Sequence, residues 1–196
     1  METDKRTIRK EILKLRNSLS EEMRAYYSSI ISEKIKKLPA YDHFQDILVY
    51  ASYQSEVITD DIIDDALKKG KNVYLPRVEG EDMSFYMIGS KDELISGSYG
   101  IREPEPDEIK RFYKEEALML MPLSVFDRQG NRLGYGKGFY DRFLSIHKGI
   151  YKIGIAYHIQ EHEIVPEKTD IKMDMIETDK ESIVLNEYKE VEHDRF

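Results

Sequence analysis

Short apolar runs of strand length, interleaved with segments of helical periodicity, constrain this chain more than any other feature. Ile47 to Ser52 (ILVYAS), Asn72 to Pro76 (NVYLP), Ala117 to Pro122 (ALMLMP) and Tyr151 to Tyr157 read as strands. The first and third are apolar enough to be buried on both faces. Met83 to Ile88 reads as a further strand, at an edge, and Ser182 to Leu185 as a short last one. Thr59 caps a helix carrying Ile62, Ile63, Ala66 and Leu67, which Gly70 stops, and a second helix runs from about Phe139 to His147. Strands alternating with helices imply an α/β fold, a three-layer α/β/α arrangement around a mostly parallel sheet. In such sheets ligands bind beyond the carboxyl ends of the strands.

The segment before the first strand predicts an N-terminal helical pair. Ile8, Ile12, Leu15 and Leu19 recur at helical spacing, with the basic residues mostly on other faces. Ser20 then stands as an N-cap before Glu21 and Glu22, where acid suits the helix dipole. Met23, Tyr26, Tyr27, Ile30, Ile31, Ile35 and Leu38 form a second apolar stripe, which Pro39 is expected to end. The stretch from Ser96 to Asp107, with two glycines and two prolines, reads as a loop, and the charged tail from Glu187 is expected to fray. With no internal repeat and no domain-length linker, the 196 residues predict a single domain over 1–196.

Composition excludes several function classes. No apolar stretch approaches membrane-spanning length, and METDKRTIRK has no signal core, so neither membrane insertion nor secretion is expected. The absence of cysteine removes thiol nucleophiles, disulfides and thiolate metal sites together, and fits a cytoplasmic protein. A net charge of −8 repels polyanions, so no nucleic-acid partner is expected. Basic residues nevertheless cluster twice, at Lys5, Arg6, Arg9, Lys10, Lys14 and Arg16, and at Arg128, Arg132, Lys137 and Arg142. Two small basic patches on an acidic chain suit a compact anionic ligand. A monomer or weak homodimer is expected.

The second cluster lies in the run from Phe126 to Arg142, FDRQGNRLGYGKGFYDR, which follows directly on the third strand. Gly130, Gly134, Gly136 and Gly138 let the backbone approach a ligand closely. Arg132 and Lys137 among them supply charge where exposed N–H groups cradle an anion, and Asp141 at the end stands where a metal bridging phosphate oxygens would need it. The standard phosphate fingerprints do not fit. A Walker loop requires Ser or Thr after Gly136-Lys137, where Gly138 stands, and the dinucleotide pattern requires glycine at Phe139. The chemistry is that of a phosphate-binding loop for a magnesium nucleotide on a pattern of its own.

MPLSVFDRQGNRLGYGKGFYDRFL, from Met121 to Leu144, resembles the signature of the 5-formyltetrahydrofolate cyclo-ligase family, also called methenyltetrahydrofolate synthetases. The resemblance extends along most of the chain. Lys5-Arg6-Thr7-Ile8-Arg9 is similar to the family's basic N-terminal helix, Tyr50 to Thr59 to its strand-end segment with a glutamate, and Leu75-Pro76-Arg77 to its second strand end. His162 to Thr178, with Asp170 and Asp174, resembles its C-terminal acidic element.

The resemblance implies ATP- and Mg2+-dependent conversion of a reduced folate, 5-formyltetrahydrofolate, to 5,10-methenyltetrahydrofolate with release of ADP and phosphate. Matched position by position, it implies that Lys5, Arg6, Thr7, Ile8 and Arg9 bind ATP together with Arg132, Leu133, Gly134, Tyr135, Gly136, Lys137, Gly138, Phe139 and Tyr140. It implies catalytic roles for Lys137, Arg132 and Tyr135, and a folate site of Ala51, Glu56, Tyr135 and Phe139. Asp141 and Asp170 are the implied magnesium carboxylates, with Asp174 able to replace Asp170 if that segment is helical. Two other readings stay open: a non-catalytic nucleotide- or RNA-binding module on the same fold, and a small-molecule kinase. Binding with a steep salt dependence and no ATP turnover marks the first, and a stable phosphorylated product the second.

Overall fold

The computed structural model describes residues 4–97 and 100–188, so most of the charged tail lies outside the described residues. Helix α1 (Lys5–Asn17) and helix α2 (Glu21–Ile35) lead into a short α3 (Pro39–His43). Pro39 therefore opens a helix instead of closing one: it sits in the first turn of α3, where its missing N–H is no loss. Ser20 caps α2 as expected, its side chain accepting from the Met23 N–H.

Strands β1 (Asp46–Val49), β2 (Asn72–Glu79), β3 (Asp82–Ile88), β4 (Glu116–Pro122), β5 (Gly149–Ile155), β6 (Met175–Glu177) and β7 (Ser182–Val184) form one seven-stranded sheet. Their spatial order is β7-β6-β5-β4-β1-β2-β3. β2, β1, β4, β5 and β6 run parallel, and antiparallel β3 and β7 close the two edges. β2 runs three residues beyond the expected Pro76, in register with β3 as far as Glu79–Asp82. β6 lies in the acidic segment, which carries no strand signal of its own.

Both faces are covered. On one, α2 and α4 (Asp60–Lys68) deliver Ile31, Ile35, Ile62, Ile63 and Ala66 onto Ile47, Val49, Val73, Leu75, Leu118 and Ile153, all fully buried. On the other, α5 (Phe139–Ile146) packs Phe143 and Leu144 against the layer built by Leu48, Met119, Met121, Phe85 and Ile176. The alternation of Ile47 and Val49 with Leu48 between the two clusters is the period of two that a buried strand requires. Thr59 stands at the N-cap of α4, but its hydroxyl donates to the Tyr50 carbonyl and fixes the turn leaving β1.

The N-terminal helices do not behave as a matched pair. α2 joins the sheet's helical layer, whereas α1 packs Ile8 and Ile12 against Val125, Leu133 and Ile164 in a small cluster of its own. Burying the two isoleucines is worth about 1.5–3 kcal/mol each, which suffices to hold one helix face down. The next position on that face is Arg16, only 2% exposed, while Leu15 from the expected stripe is half exposed. Among the described residues no helix is long and apolar enough to cross a membrane.

β1 and β4 are adjacent at the centre, and the chain winds outward in opposite directions from them. Their carboxyl ends define the switch point at which parallel sheets leave a crevice. The tight approach of β4 and β5 is sterically exacting at Gly149, where an added Cβ would stand 2.6 Å from the Glu115 carbonyl oxygen. Gly149→Ala is therefore expected to destabilise the fold by about 1–3 kcal/mol, read as a lower urea midpoint at unchanged m-value.

Candidate active site

The glycine-rich run folds in three pieces. Val125–Phe126 pairs antiparallel with Arg132–Leu133, a small hairpin that sequence reading merged into the loop. Asp127 closes it: one carboxylate oxygen accepts from the Gln129 and Asn131 N–H groups, the other from the Asn131 side chain. Residues 134–138 then cross the carboxyl end of the sheet. Gly138, at φ +69°, forms the N-cap of α5, a left-handed conformation in which a side chain would be strained.

A cleft of about 940 Å³ opens above the switch point. It takes Tyr50, Ala51 and Glu56 from the end of β1, Pro122 from β4, and the whole segment from Arg132 to Arg142. Because Ile8 and Ile12 pin α1 to the hairpin, Lys5 and Arg9 project into the same cleft from one helical face. Its two sides differ in chemistry. Pro76, Val78, Met83 and Ile101, together with Phe139, make an apolar wall on the β2–β3 side. Lys5, Arg9, Arg132, Asp141, Glu167 and Asp170 gather on the other.

The charged side is organised in pairs. Lys5 Nζ lies 2.8 Å from Asp170 and 2.9 Å from Glu167. Partial burial would raise the Asp170 carboxyl, but the Glu167 N–H and Lys5 more than offset it and hold it below the usual carboxylate range. Arg132, almost buried, donates to Asp141 at 2.8 Å, and the Ile171 N–H also reaches that oxygen. The Arg132 Nε is buried with no hydrogen-bond partner among the described residues. Arg9 Nε donates to the Gly134 carbonyl at 2.6 Å and stands beside Gly136, whose φ is +90°. Lys137 is exposed, and no ion pair engages it among the described residues.

The floor of the apolar side carries a different constellation. Glu56 is 6% exposed and accepts at one oxygen from the Tyr135 hydroxyl, 2.8 Å away, and at the other from the Tyr53 N–H, 2.9 Å away. Burial pushes its carboxyl up, and the Tyr135 and Tyr53 hydrogen bonds and the Arg16 charge recover only part of that shift. The Tyr135 phenol is pushed up to about 12, first by burial and then by the Glu56 charge. Arg16 completes the group, its Nη2 donating to the same Tyr135 hydroxyl at 3.0 Å.

The structure brings most of the sequence-predicted residues into this one cleft: Lys5, Arg9, Ala51, Glu56, the run from Arg132 to Asp141, and Asp170. Arg6 and Thr7 are exposed and Ile8 is buried in the hairpin cluster, so none of the three lines it. Asp174 is also elsewhere. The segment around it is not helical, and its carboxylate holds Lys152 at 2.5 Å. Sequence reading missed Arg16, which is indistinguishable by type from its solvated neighbours Lys10 and Lys14, and the apolar wall of Val78, Met83 and Ile101.

Comparison with known proteins gives one answer. The model of the 5-formyltetrahydrofolate cyclo-ligase family matches residues 1–179. The 5-formyltetrahydrofolate cyclo-ligase of Haemophilus influenzae is 31% identical, covering 85% of this chain and 92% of its own. That of Mus musculus is 30% identical, covering 88% and 92%. The solution structure of 5,10-methenyltetrahydrofolate synthetase from Aquifex aeolicus superposes with a TM-score of 0.81 at 35% identity, covering 96% of each chain.

Glu56 takes up a proton more readily folded than unfolded, because its carboxyl is raised by burial. Its ionisation therefore costs stability progressively as pH rises from the ordinary glutamate value through the raised one. Glu56→Gln is expected to abolish that part of the slope, whatever constant offset the substitution adds. Urea unfolding across the carboxylate range should show the variant gaining on the parent as pH increases.

Proposed function

The chain belongs to the 5-formyltetrahydrofolate cyclo-ligase family, and from that membership we propose that it converts 5-formyltetrahydrofolate to 5,10-methenyltetrahydrofolate using ATP and Mg2+. The observation that carries this reading is the two-sided cleft, with an apolar wall floored by Glu56 facing a glycine-and-cation loop. The cysteine-free composition supports a cytoplasmic setting.

The chemical problem is that a formamide oxygen is a poor leaving group. In the proposed course this oxygen attacks the γ-phosphorus, the bond to the β-bridging oxygen breaks, and ADP departs. The folate N10 lone pair then adds to the activated carbon and N10 gives up its proton. The carbon–oxygen bond breaks with phosphate as leaving group, leaving the methenyl bridge. The protein's part is positioning and charge neutralisation.

Glu56 would accept from the amino-ring edge of the pterin, with Ala51 and Phe139 against its faces. Backbone N–H groups from Leu133 to Tyr140, with Lys5, Arg9 and Arg132, would hold the phosphates. Lys137, free of ion pairs among the described residues, would meet charge developing on the transferring phosphoryl group. Magnesium, when bound, would neutralise phosphate charge. Among the described residues no three carboxylates or imidazoles are gathered for a metal, so it would rest on Asp141 and Asp170, with phosphate oxygens and water completing its shell. The buried, unpartnered Arg132 Nε beside Asp141 fits a site that completes its hydrogen bonding only with an anion present.

The test is near-UV absorbance during incubation with 5-formyltetrahydrofolate, magnesium and ATP. A methenyl chromophore that needs all three, with matching ADP and phosphate, is expected; its absence from folded protein that still binds ATP would overturn the reading. Lys137→Ala should lower kcat by about 10²–10³-fold with unchanged unfolding. Asp141→Asn should raise the magnesium concentration giving half-maximal rate, and an unchanged titration would move the metal elsewhere.

A further inference from the structure

Arg16 is a buried cation that the proposed course leaves unused. It sits at the end of the α1 face built by Ile8 and Ile12, 2% exposed, 119 residues in sequence from the tyrosine it touches. Its Nε donates to Ser55 Oγ at 2.9 Å, its Nη1 reaches the Leu123 carbonyl at 3.5 Å, and its Nη2 donates to the Tyr135 hydroxyl at 3.0 Å. The guanidinium carbon stands 5.9 Å from the Tyr135 ring centroid. These three partners are neutral, and no ion pair is formed by Arg16 among the described residues. A guanidinium held this deep without a bonded carboxylate is costly, and packing alone would be served as well by an apolar side chain.

The geometry beyond Tyr135 gives the charge an object. Arginine can only donate, so the Tyr135 oxygen accepts from Arg16, and the phenol hydrogen is directed to Glu56, 2.8 Å away. The same helix that carries Lys5 and Arg9 to the phosphate side thus carries a third base, two turns on, to the folate side. We propose that Arg16 is a positioning residue for folate: it orients the Tyr135 hydroxyl and supplies the positive charge that keeps Glu56 an ionised acceptor for the pterin edge. This rests on the cyclo-ligase reading, in which Glu56 grips the pterin.

The other titratable groups facing Glu56 do not supply that charge. Tyr50 from the end of β1, Tyr135 from the loop and Tyr140 from α5 are all pushed up, chiefly by burial, and stay neutral. Tyr157, which donates to the Glu56 backbone carbonyl, is raised for the same reason, and Arg24 acts on it from α2. Tyr53 contributes its backbone N–H. Among the described residues, Arg16 is the charged group acting on the Glu56 carboxylate, and it favours the ionised form.

The experiment is the pH profile of kcat/KM for the folate at saturating magnesium and ATP, in the full chain, for Arg16→Met, Arg16→Lys and Glu56→Gln. In Arg16→Met the acid limb should move to higher pH. At the acid end kcat/KM should fall roughly tenfold below the parent, with a much smaller loss at the alkaline end. The KM for ATP should stay within about twofold, because the phosphate side keeps all its groups. Arg16→Lys, which keeps the charge but not the fork, should return the limb toward its original position. Glu56→Gln should remove the limb. A folded Arg16→Met with an unmoved acid limb overturns the inference, as does a limb that survives Glu56→Gln, a measurement that needs no change at Arg16. Methenyl formation by the parent, in the same assay, separates these failures from failure of the cyclo-ligase reading itself.

Discussion

The parallel pairing of β1 with β4 is the constraint from which the rest follows. Ile47, Leu48 and Val49 register against Leu118, Met119 and Leu120, and the strands to either side are added in opposite directions. Parallel strands cannot be joined by tight turns, so the segments leaving β1 and β4 must both cross the same end of the sheet. One supplies Ala51 and Glu56, the other the hairpin and the glycine-rich loop. Two segments about eighty residues apart in sequence are thereby forced to face each other across the crevice. The Tyr135–Glu56 hydrogen bond, spanning a separation of 79 residues, is the direct result.

α1 turns that crevice into a site for two kinds of chemistry. The helix has no place in the layers covering the sheet; it is held by Ile8 and Ile12 on a hairpin that is itself part of the glycine-rich run. A helix places positions four apart on one side, so anchoring the two isoleucines aims Arg9 at the loop and Lys5 at Asp170 and Glu167, and buries Arg16 against Tyr135. Docking of α1 is coupled to the shape of both halves of the cleft. A change that loosens the small cluster should disturb phosphate and folate binding together, although neither ligand would touch it.

The elements legible in the sequence are those whose signal is local. Buried strands announce themselves by apolar runs, the start of α2 by Ser20 with two glutamates, and the loop by four glycines among bases. The 125–133 hairpin was hidden because its strands are two residues long and enclosed by loop-like composition. β6 was hidden for a related reason: three residues between acids become a strand only by pairing with β5 and β7. Pro39 carries either meaning in sequence, a stop or a first turn, and tertiary packing decides. Arg16 is the instructive miss. The periodicity that identified Ile8 and Ile12 also points to position 16, but a basic residue there reads as the solvated edge of a stripe until Ser55 and Tyr135 are placed beside it.

A cleft proposed to hold a triphosphate invites the expectation of a uniformly positive lining, and this one is not uniformly positive. Lys5 is held by Asp170 and Glu167, and Arg132 by Asp141, so two of the three bases of this wall are neutralised by acids within it, while Arg9 donates to the Gly134 carbonyl. A free phosphate entering such a wall would have to displace carboxylates and leave them facing its own charge, which disfavours it. A nucleotide accompanied by magnesium brings both signs, so Lys5 and Arg132 could each exchange a carboxylate for a phosphate oxygen while those carboxylates exchanged a base for the metal. In the proposed function, paired acids and bases would therefore favour the metal complex over the bare anion. They do so without building a strong field in an otherwise acidic protein. Lys137 stands outside this scheme, since its charge is already available without breaking an ion pair among the described residues. That independence is what a group needs if it is to answer charge that appears only as the phosphoryl group moves.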